Sequence, residues 1–198
     1  SGCGKSTLLA LLTGINTLTS GSLSVLNTDL VSLSASQRDK FRADHIGYIF
    51  QQFNLLPYLN VLENVLLPCQ FSQTRRGRAH SRTSSQTLEE QAQALLERLH
   101  LPSELHARPV SELSIGQQQR VAAARALIGY PGLVIADEPT SALDHDNRKA
   151  FIELLMEQTN QANATLIFVS HDPTLEPLFD RTLNLPDINQ ASNLGAAS

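Results

Sequence analysis

Apolar positions along this chain change period several times, and each change marks an element. Ser1 to Gly14 is a glycine-rich loop running into an apolar helix, with Leu8 to Leu12 uninterruptedly apolar and Gly14 as the helix stop. Ser22 to Leu26 alternates polar and apolar, as a half-buried strand does. A polar stretch from Ser32 to Asp44 leads into Ile46-Gly-Tyr-Ile-Phe50, a second strand ending at Gln51. Asn60 and Glu63 stand at capping-box spacing, predicting a helix from Val61 to Leu67 that Pro68 ends. Thr87 and Glu90 repeat that spacing before a helix whose Leu88, Leu95, Leu96 and Leu99 form an apolar face.

Further on, Gly116 to Gly129 reads as an alanine-rich helix. Leu133-Val-Ile-Ala136, closed by Asp137, is a continuous apolar run suited to a strand buried on both faces of a parallel sheet. Asp144 to Asn160 is helical, with Phe151, Leu154 and Leu155 on one side. Thr165 to Val169 is predicted as another buried strand and Thr182 to Leu185 as a last one. Strands alternating with helices argue an α/β fold with a mainly parallel sheet. Gln70 to Ser85 reads as a surface insertion carrying Arg75, Arg76, Arg78 and Arg82 without an acid. A solvated loop is the plainer account of it, and a contact with phosphate or lipid headgroups the functional one.

Composition narrows the class. A length of 198 residues suits one domain, and 41% hydrophobic with 17% charged residues is an ordinary globular mixture with enough apolar material for a core. The longest apolar run, Leu8 to Leu12, is far short of the roughly 20 residues a membrane helix needs. Lysine plus arginine number 15 against 19 acids, a net charge of −4 that gives no general attraction to nucleic acid or anionic lipid. The two cysteines, Cys3 and Cys69, cannot build a disulfide framework or a zinc site, which fits a reducing cytoplasm. His100 and His106 lack metal partners at recognised spacing. Ser1 opens the chain and Met156 is its only methionine, which reads as a start removed by processing or truncation.

Candidate chemistry begins at Gly2-Cys3-Gly4-Lys5-Ser6-Thr7. Glycines let the backbone curl so that successive N–H groups face phosphate oxygens, and the following helix adds its positive end. Lys5 can reach the β- and γ-phosphates, and Ser6 can place its hydroxyl on Mg²⁺. A dinucleotide fingerprint fits less well, because Thr7 stands where its third glycine belongs. Leu133-Val-Ile-Ala-Asp137-Glu138 then delivers two acids at the carboxyl end of a buried strand, where open α/β sheets bind ligands. Asp137 can hold Mg²⁺, and Glu138 can polarise a water for attack on a phosphate. Ser114 can cap the helix beginning at Gly116, leaving N–H groups to face an anion.

Leu113-Ser-Ile-Gly-Gln-Gln-Gln-Arg120 carries the resemblance that discriminates. It is similar to the Leu-Ser-Gly-Gly-Gln signature of ATP-binding cassette (ABC) ATPases. The order of P-loop, Gln51, signature, Asp137-Glu138, Ser141-Ala142-Leu143-Asp144 and His171 resembles the motif series of that family from Ser1 to about Leu185. Ile115 departs from it, putting a β-branched side chain where the family has glycine.

The resemblance implies a P-loop NTPase with a mainly parallel sheet and an α-helical signature subdomain at about residues 52–128, a tail from 186 to 198, and missing N-terminal strands. Lost with those strands would be the first P-loop glycine and the aromatic residue that stacks on adenine, so these residues alone would fold poorly and bind ATP weakly. It implies an ATPase using ATP and Mg²⁺, with Gly2, Cys3, Gly4, Lys5, Ser6 and Thr7 on the phosphates. Ser114, Gly116, Gln117 and Asp144 would act on nucleotide across a homodimer. Ser6, Gln51 and Asp137 would serve the metal, and Glu138, Gln51 and His171 catalysis. The partners implied are a second copy and a transmembrane permease, with the chain cytoplasmic and peripheral on the membrane, and no nucleic acid is expected. Phe50-Gln-Gln-Phe-Asn-Leu-Leu-Pro-Tyr58 with Val61-Leu-Glu-Asn-Val65 is similar to subunits of lipoprotein-release and macrolide-export systems. The alternatives are a soluble ABC ATPase acting on DNA or ribosomes, and an ATP-gated regulatory module.

Overall fold

A computed structural model describes residues 4–140 and 145–189, which fall into two compact units. The first comprises Ser1–Arg42 with Asp172–Ser198. Its helix α1 (Lys5–Leu12) starts from Gly4, whose φ of 93° is a left-handed geometry that glycine adopts without strain. Strands β1 (Ser24–Val25) and β2 (Thr28–Asp29) form a short antiparallel hairpin, turned by Leu26 and Asn27 with φ of 50° and 61°. Helix α2 (Ala35–His45) occupies the stretch that reads only as polar in the sequence. It announces itself weakly because few of its positions are apolar; Phe41 is its buried hydrophobe. Polar anchors hold it instead: Arg38 Nε donates to the Gly14 carbonyl at 3.2 Å, and Arg42 to that of Thr13 at 3.1 Å.

The second unit, Ala43–His171, holds a parallel sheet of β3 (Ile46–Ile49), β4 (Leu133–Asp137) and β5 (Thr165–Val169), with β4 in the middle. Ile49 pairs with Ala136, which pairs with Phe168, so all three strands end along one edge. The first four residues of β4 are buried, as its apolar run predicts. Thr165 is exposed and the rest of β5 is half-buried, a correction to its reading as a buried strand. Among the described residues β5 pairs on one side only, so packing does not enclose it.

Helices α3 (Val61–Phe71), α4 (Gln73–Arg82), α5 (Leu88–Arg98) and α6 (Ile115–Leu127) pack on one another, and α6 also lies on β3. A Cβ added at Gly47 would land on the Ala126 carbonyl oxygen, so glycine is what lets strand and helix backbones meet. Helix α7 (His145–Ala162) packs on α6 and β5 through buried Phe151, Ile152, Leu154 and Leu155. Both predicted capping boxes form, Asn60 with Glu63 and Thr87 with Glu90. Buried Asn64 ties the preceding loop: its Oδ1 accepts the Leu56 N–H at 2.8 Å and its Nδ2 reaches the carbonyls of Leu56, Leu59 and Asn60.

Three further expectations fail. Pro68 does not end α3, which runs to Phe71; proline in a helix interior costs about 3 kcal/mol, and burial of Val61, Val65 and Cys69 offsets it. Gln70–Ser85 is not a solvated loop, because it contains α4; Arg75 is buried and Arg78 half-buried against backbone carbonyls, while Arg76 and Arg82 are exposed. Arg75 is 2% exposed and donates to the carbonyls of Ala43, Ile46, Ala126 and Ile128. Arg78 donates to Asp44 and Tyr130, Arg76 to Cys69, and Arg82 lies over the Tyr130 ring. Thr182–Leu185 forms no strand; Leu185 instead opens the short helix α8 (Leu185–Ile188), where Pro186 pre-sets the first turn and could not donate to a ladder.

Candidate functional site

The chemistry gathers at the carboxyl edge of the second unit's sheet. The Ile49–Ala136–Phe168 register carries Gln51, Asp137-Glu138 and His171 out of β3, β4 and β5 at the same end. Asp137, the last residue of β4, lies 3.4 Å from the Tyr48 hydroxyl, which donates to its Oδ2. Burial, then the Asp137 charge and this hydrogen bond, push the Tyr48 phenol up to about 12. Tyr48 stacks at 4.3 Å between ring centroids with Phe50, which helps hold the phenol in place.

Glu138 has a φ of 47°, outside the extended conformations favoured before a proline. Its N–H donates to the Val169 carbonyl at 3.1 Å, and its Oε1 stands 2.9 Å from Nε2 of His171. An acid and a histidine thus meet from adjacent strand ends, with Glu138 less exposed (23%) than His171 (64%). Gln51 is exposed in the turn after β3. Phe53 and Asn54, just beyond it, have φ of 58° and 49°. Their carbonyls accept hydrogen bonds from Arg125 of α6, whose guanidinium burial pushes its pKa down.

Ser114 caps α6 as expected: its Oγ accepts the Gln117 N–H at 3.3 Å, and Gln117 Oε1 accepts the Ser114 N–H at 2.9 Å. The helix begins at Ile115 rather than Gly116. The cap uses one early N–H, so those of Ile115 and Gly116 are left for solvent or a ligand. Ile115 is 55% exposed at that opening. In the first unit, Lys5 is half-buried at the start of α1, and Ser6 and Thr7 are exposed beside it. Gly2, Cys3 and Asp144 lie outside the described residues.

Sequence reasoning missed Gln119 and Tyr48. Gln119 is 1% exposed and donates from Nε2 to the Pro139 carbonyl at 2.8 Å, joining α6 to the turn after Glu138. A third consecutive glutamine gives no local hint of burial. Tyr48 sits in an apolar strand, where an aromatic residue reads simply as core.

Comparison with known proteins decides the family. A family profile described as ABC transporter matches residues 1–141. The chain belongs to the ABC transporter family. The cassette is 41% identical over 187 residues to the lipoprotein-releasing system ATP-binding protein LolD of Hydrogenovibrio crunogenus, covering 94% of this chain and 77% of that protein. It is 43% identical over 185 residues to the ABC transporter ATP-binding protein YbbA of Escherichia coli K12, covering 93% and 77%. In structure it resembles the ATP-binding cassette MJ0796, solved as a dimer bound to ADP and Pi. The TM-score is 0.71 at 34% identity, over 88% of this chain and 72% of that one. The α/β cassette fold, ATP hydrolysis and the role of energising a transporter follow from that membership. Among the described residues no helix is long and apolar enough to cross a membrane.

Proposed function

We propose that this cassette hydrolyses ATP by water attack with Glu138 as general base, and that it drives a permease of the lipoprotein-release type. The observation that carries the catalytic assignment is the 2.9 Å contact between Glu138 Oε1 and His171 Nε2 at the strand ends. Glu138 takes a proton from water as its oxygen attacks the γ-phosphorus in line and the bond to ADP breaks. His171 holds the carboxylate in place and is suited to contact the γ-phosphate. Lys5 and the backbone N–H groups from Gly2 to Thr7 hold the phosphates.

By the motif assignments, the Ser6 hydroxyl, the Gln51 amide oxygen and the Asp137 carboxylate would each offer a metal an oxygen donor. The Tyr48 hydroxyl orients Asp137 without adding a charge, and such a set fits Mg²⁺, which favours a carboxylate with phosphate oxygens and water. Bound there, magnesium would neutralise charge developing on the phosphate oxygens.

The α6 N-terminus, with Ser114, Gly116 and Gln117, acts on nucleotide held by a second copy, and Asp144 works across the same interface. The MJ0796 dimer supports a homodimer. In this reading the helical subdomain spans about residues 52–128, and the cassette works on the cytoplasmic face of the membrane. Relatedness to LolD, together with the Phe50–Val65 sequence, supports a permease for lipoprotein release.

The Glu138→Gln variant tests this reading. It is expected to bind ATP, to release no phosphate and to accumulate as an ATP-bound dimer on size-exclusion chromatography. Lys5→Ala is expected to lose ATP binding. Turnover by Glu138→Gln at the wild-type rate would refute the mechanism. Co-purification with the permease tests the transport partner.

A further inference from the structure

Glu138 occupies a costly backbone conformation, and the structure contains the group that holds it there. A non-glycine residue at φ 47° is strained, and one placed before proline is doubly constrained. Such a conformation persists only where the surroundings tie both flanks. On one side the Glu138 N–H is bound to the Val169 carbonyl. On the other, Pro139 has no N–H, so its carbonyl is the only backbone handle available. That carbonyl accepts from Gln119 Nε2 at 2.8 Å, inside the protein, with Gln119 1% exposed. A carbonyl only accepts, so the amide nitrogen must face it, and no neutral aliphatic side chain can replace the donor.

Gln119 stands five residues after the Ser114 cap on the same rigid helix, α6. Pro139 immediately follows Glu138. One buried hydrogen bond therefore joins the helix whose N-terminus carries the signature peptide to the residue beside the general base.

We infer that Gln119 is a positioning residue for hydrolysis: it sets the Glu138 carboxylate through the Pro139 carbonyl and couples it to the attitude of α6. The inference rests on the reading of Glu138 as general base. Gln119 is 1% exposed and spent on the Pro139 carbonyl, so its loss is expected to act on the chemical step and not on ATP binding. A misplacement of the carboxylate by about 1 Å is enough to lower turnover on the order of a hundredfold.

The test uses the full chain with three variants, Gln119→Leu, Gln119→Glu and Glu138→Gln. Gln119→Leu keeps most of the volume and removes the donor; kcat is expected to fall about tenfold to a hundredfold with KM for ATP unchanged. Gln119→Glu presents a carboxylate to the Pro139 carbonyl at neutral pH and regains a donor when protonated. Its kcat relative to wild type is therefore expected to climb as pH is lowered, a change that a merely structural role would not produce. Wild-type kcat in Gln119→Leu overturns the inference, as does a parallel loss of ATP affinity and kcat. If Gln119→Leu does not fold, the Gln119→Glu profile decides, and a ratio to wild type that stays flat with pH overturns it. Glu138→Gln separates the two levels. Retained turnover there removes the general base itself, whereas a dead Glu138→Gln beside a fully active Gln119→Leu removes only the role of Gln119.

Discussion

Glu138 Oε1 and His171 Nε2 lie 2.9 Å apart although 33 positions separate them in the chain. The distance closes because β4 and β5 are parallel neighbours with Asp137 opposite Val169, so each strand releases its reactive side chain at the same edge. Two residues that act through one contact lose function together. Glu138→Gln and His171→Ala are each expected to lower kcat by about 10²–10⁴, and the double variant to lose little beyond the worse single one. Phosphate-release assays on the four proteins measure this, and fully additive losses would show that the residues act separately.

Tyr48 and Asp137 make a pH-dependent pair. The Tyr48 phenol is raised in the folded state from 10 to about 12, first by burial and then by Asp137. A raised pKa means the folded protein keeps a proton that the unfolded chain gives up above pH 10. The stabilisation is therefore complete below 10 and is lost as pH rises toward 12. Urea midpoints are expected to drop more for wild type than for Tyr48→Phe across that window. Equal drops would break the link.

Arg75 is predicted to be a stability residue. Its guanidinium is lowered to about 10, chiefly by burial, which still leaves it charged at neutral pH with carbonyl partners on Ala43, Ile46, Ala126 and Ile128. Arg75→Met strands those oxygens in the interior and is expected to cost about 3 kcal/mol or more. Arg75→Lys recovers only part of the loss, because an ammonium cannot reproduce the planar fork. Denaturant titration checks both. Phosphate or lipid binding that depended on Arg75 would contradict the inward orientation.

Ile115 is predicted to matter little to the fold and more to dimer closure. It is 55% exposed at the first position of α6, so Ile115→Gly is expected to cost less than about 1 kcal/mol. Removing that bulk from the opening of the signature helix is expected to let the ATP-bound dimer form at lower protein concentration. Sedimentation of the Glu138→Gln background with and without Ile115→Gly measures it, and an unchanged dimer constant would assign Ile115 no role in closure.

Local rules were readable wherever a residue acts on its own neighbours. The Asn60–Glu63, Thr87–Glu90 and Ser114–Gln117 boxes form because each is a contact across three positions. The buried β4 run and the acids at its end were legible for a similar reason, since a strand carries its face pattern in its own residues. Local rules misread Pro68 and the α4 arginines. In both cases partners distant in the chain outweigh intrinsic preference, through burial of Val65 and Cys69 in one and the Ala126 and Ile128 carbonyls in the other. Helix α2 escaped notice because polar anchors such as Arg38 to Gly14, and not an apolar stripe, secure it.

The order of the motifs carries the resemblance to the family, because a P-loop lysine, a signature peptide and a strand-borne acid pair are each written in consecutive residues. Folding adds the couplings between motifs: His171 to Glu138, Tyr48 to Asp137, and Gln119 to Pro139. None of these pairs shares a local pattern. Each arises only when parallel strands and a packed helix bring distant positions within hydrogen-bonding reach.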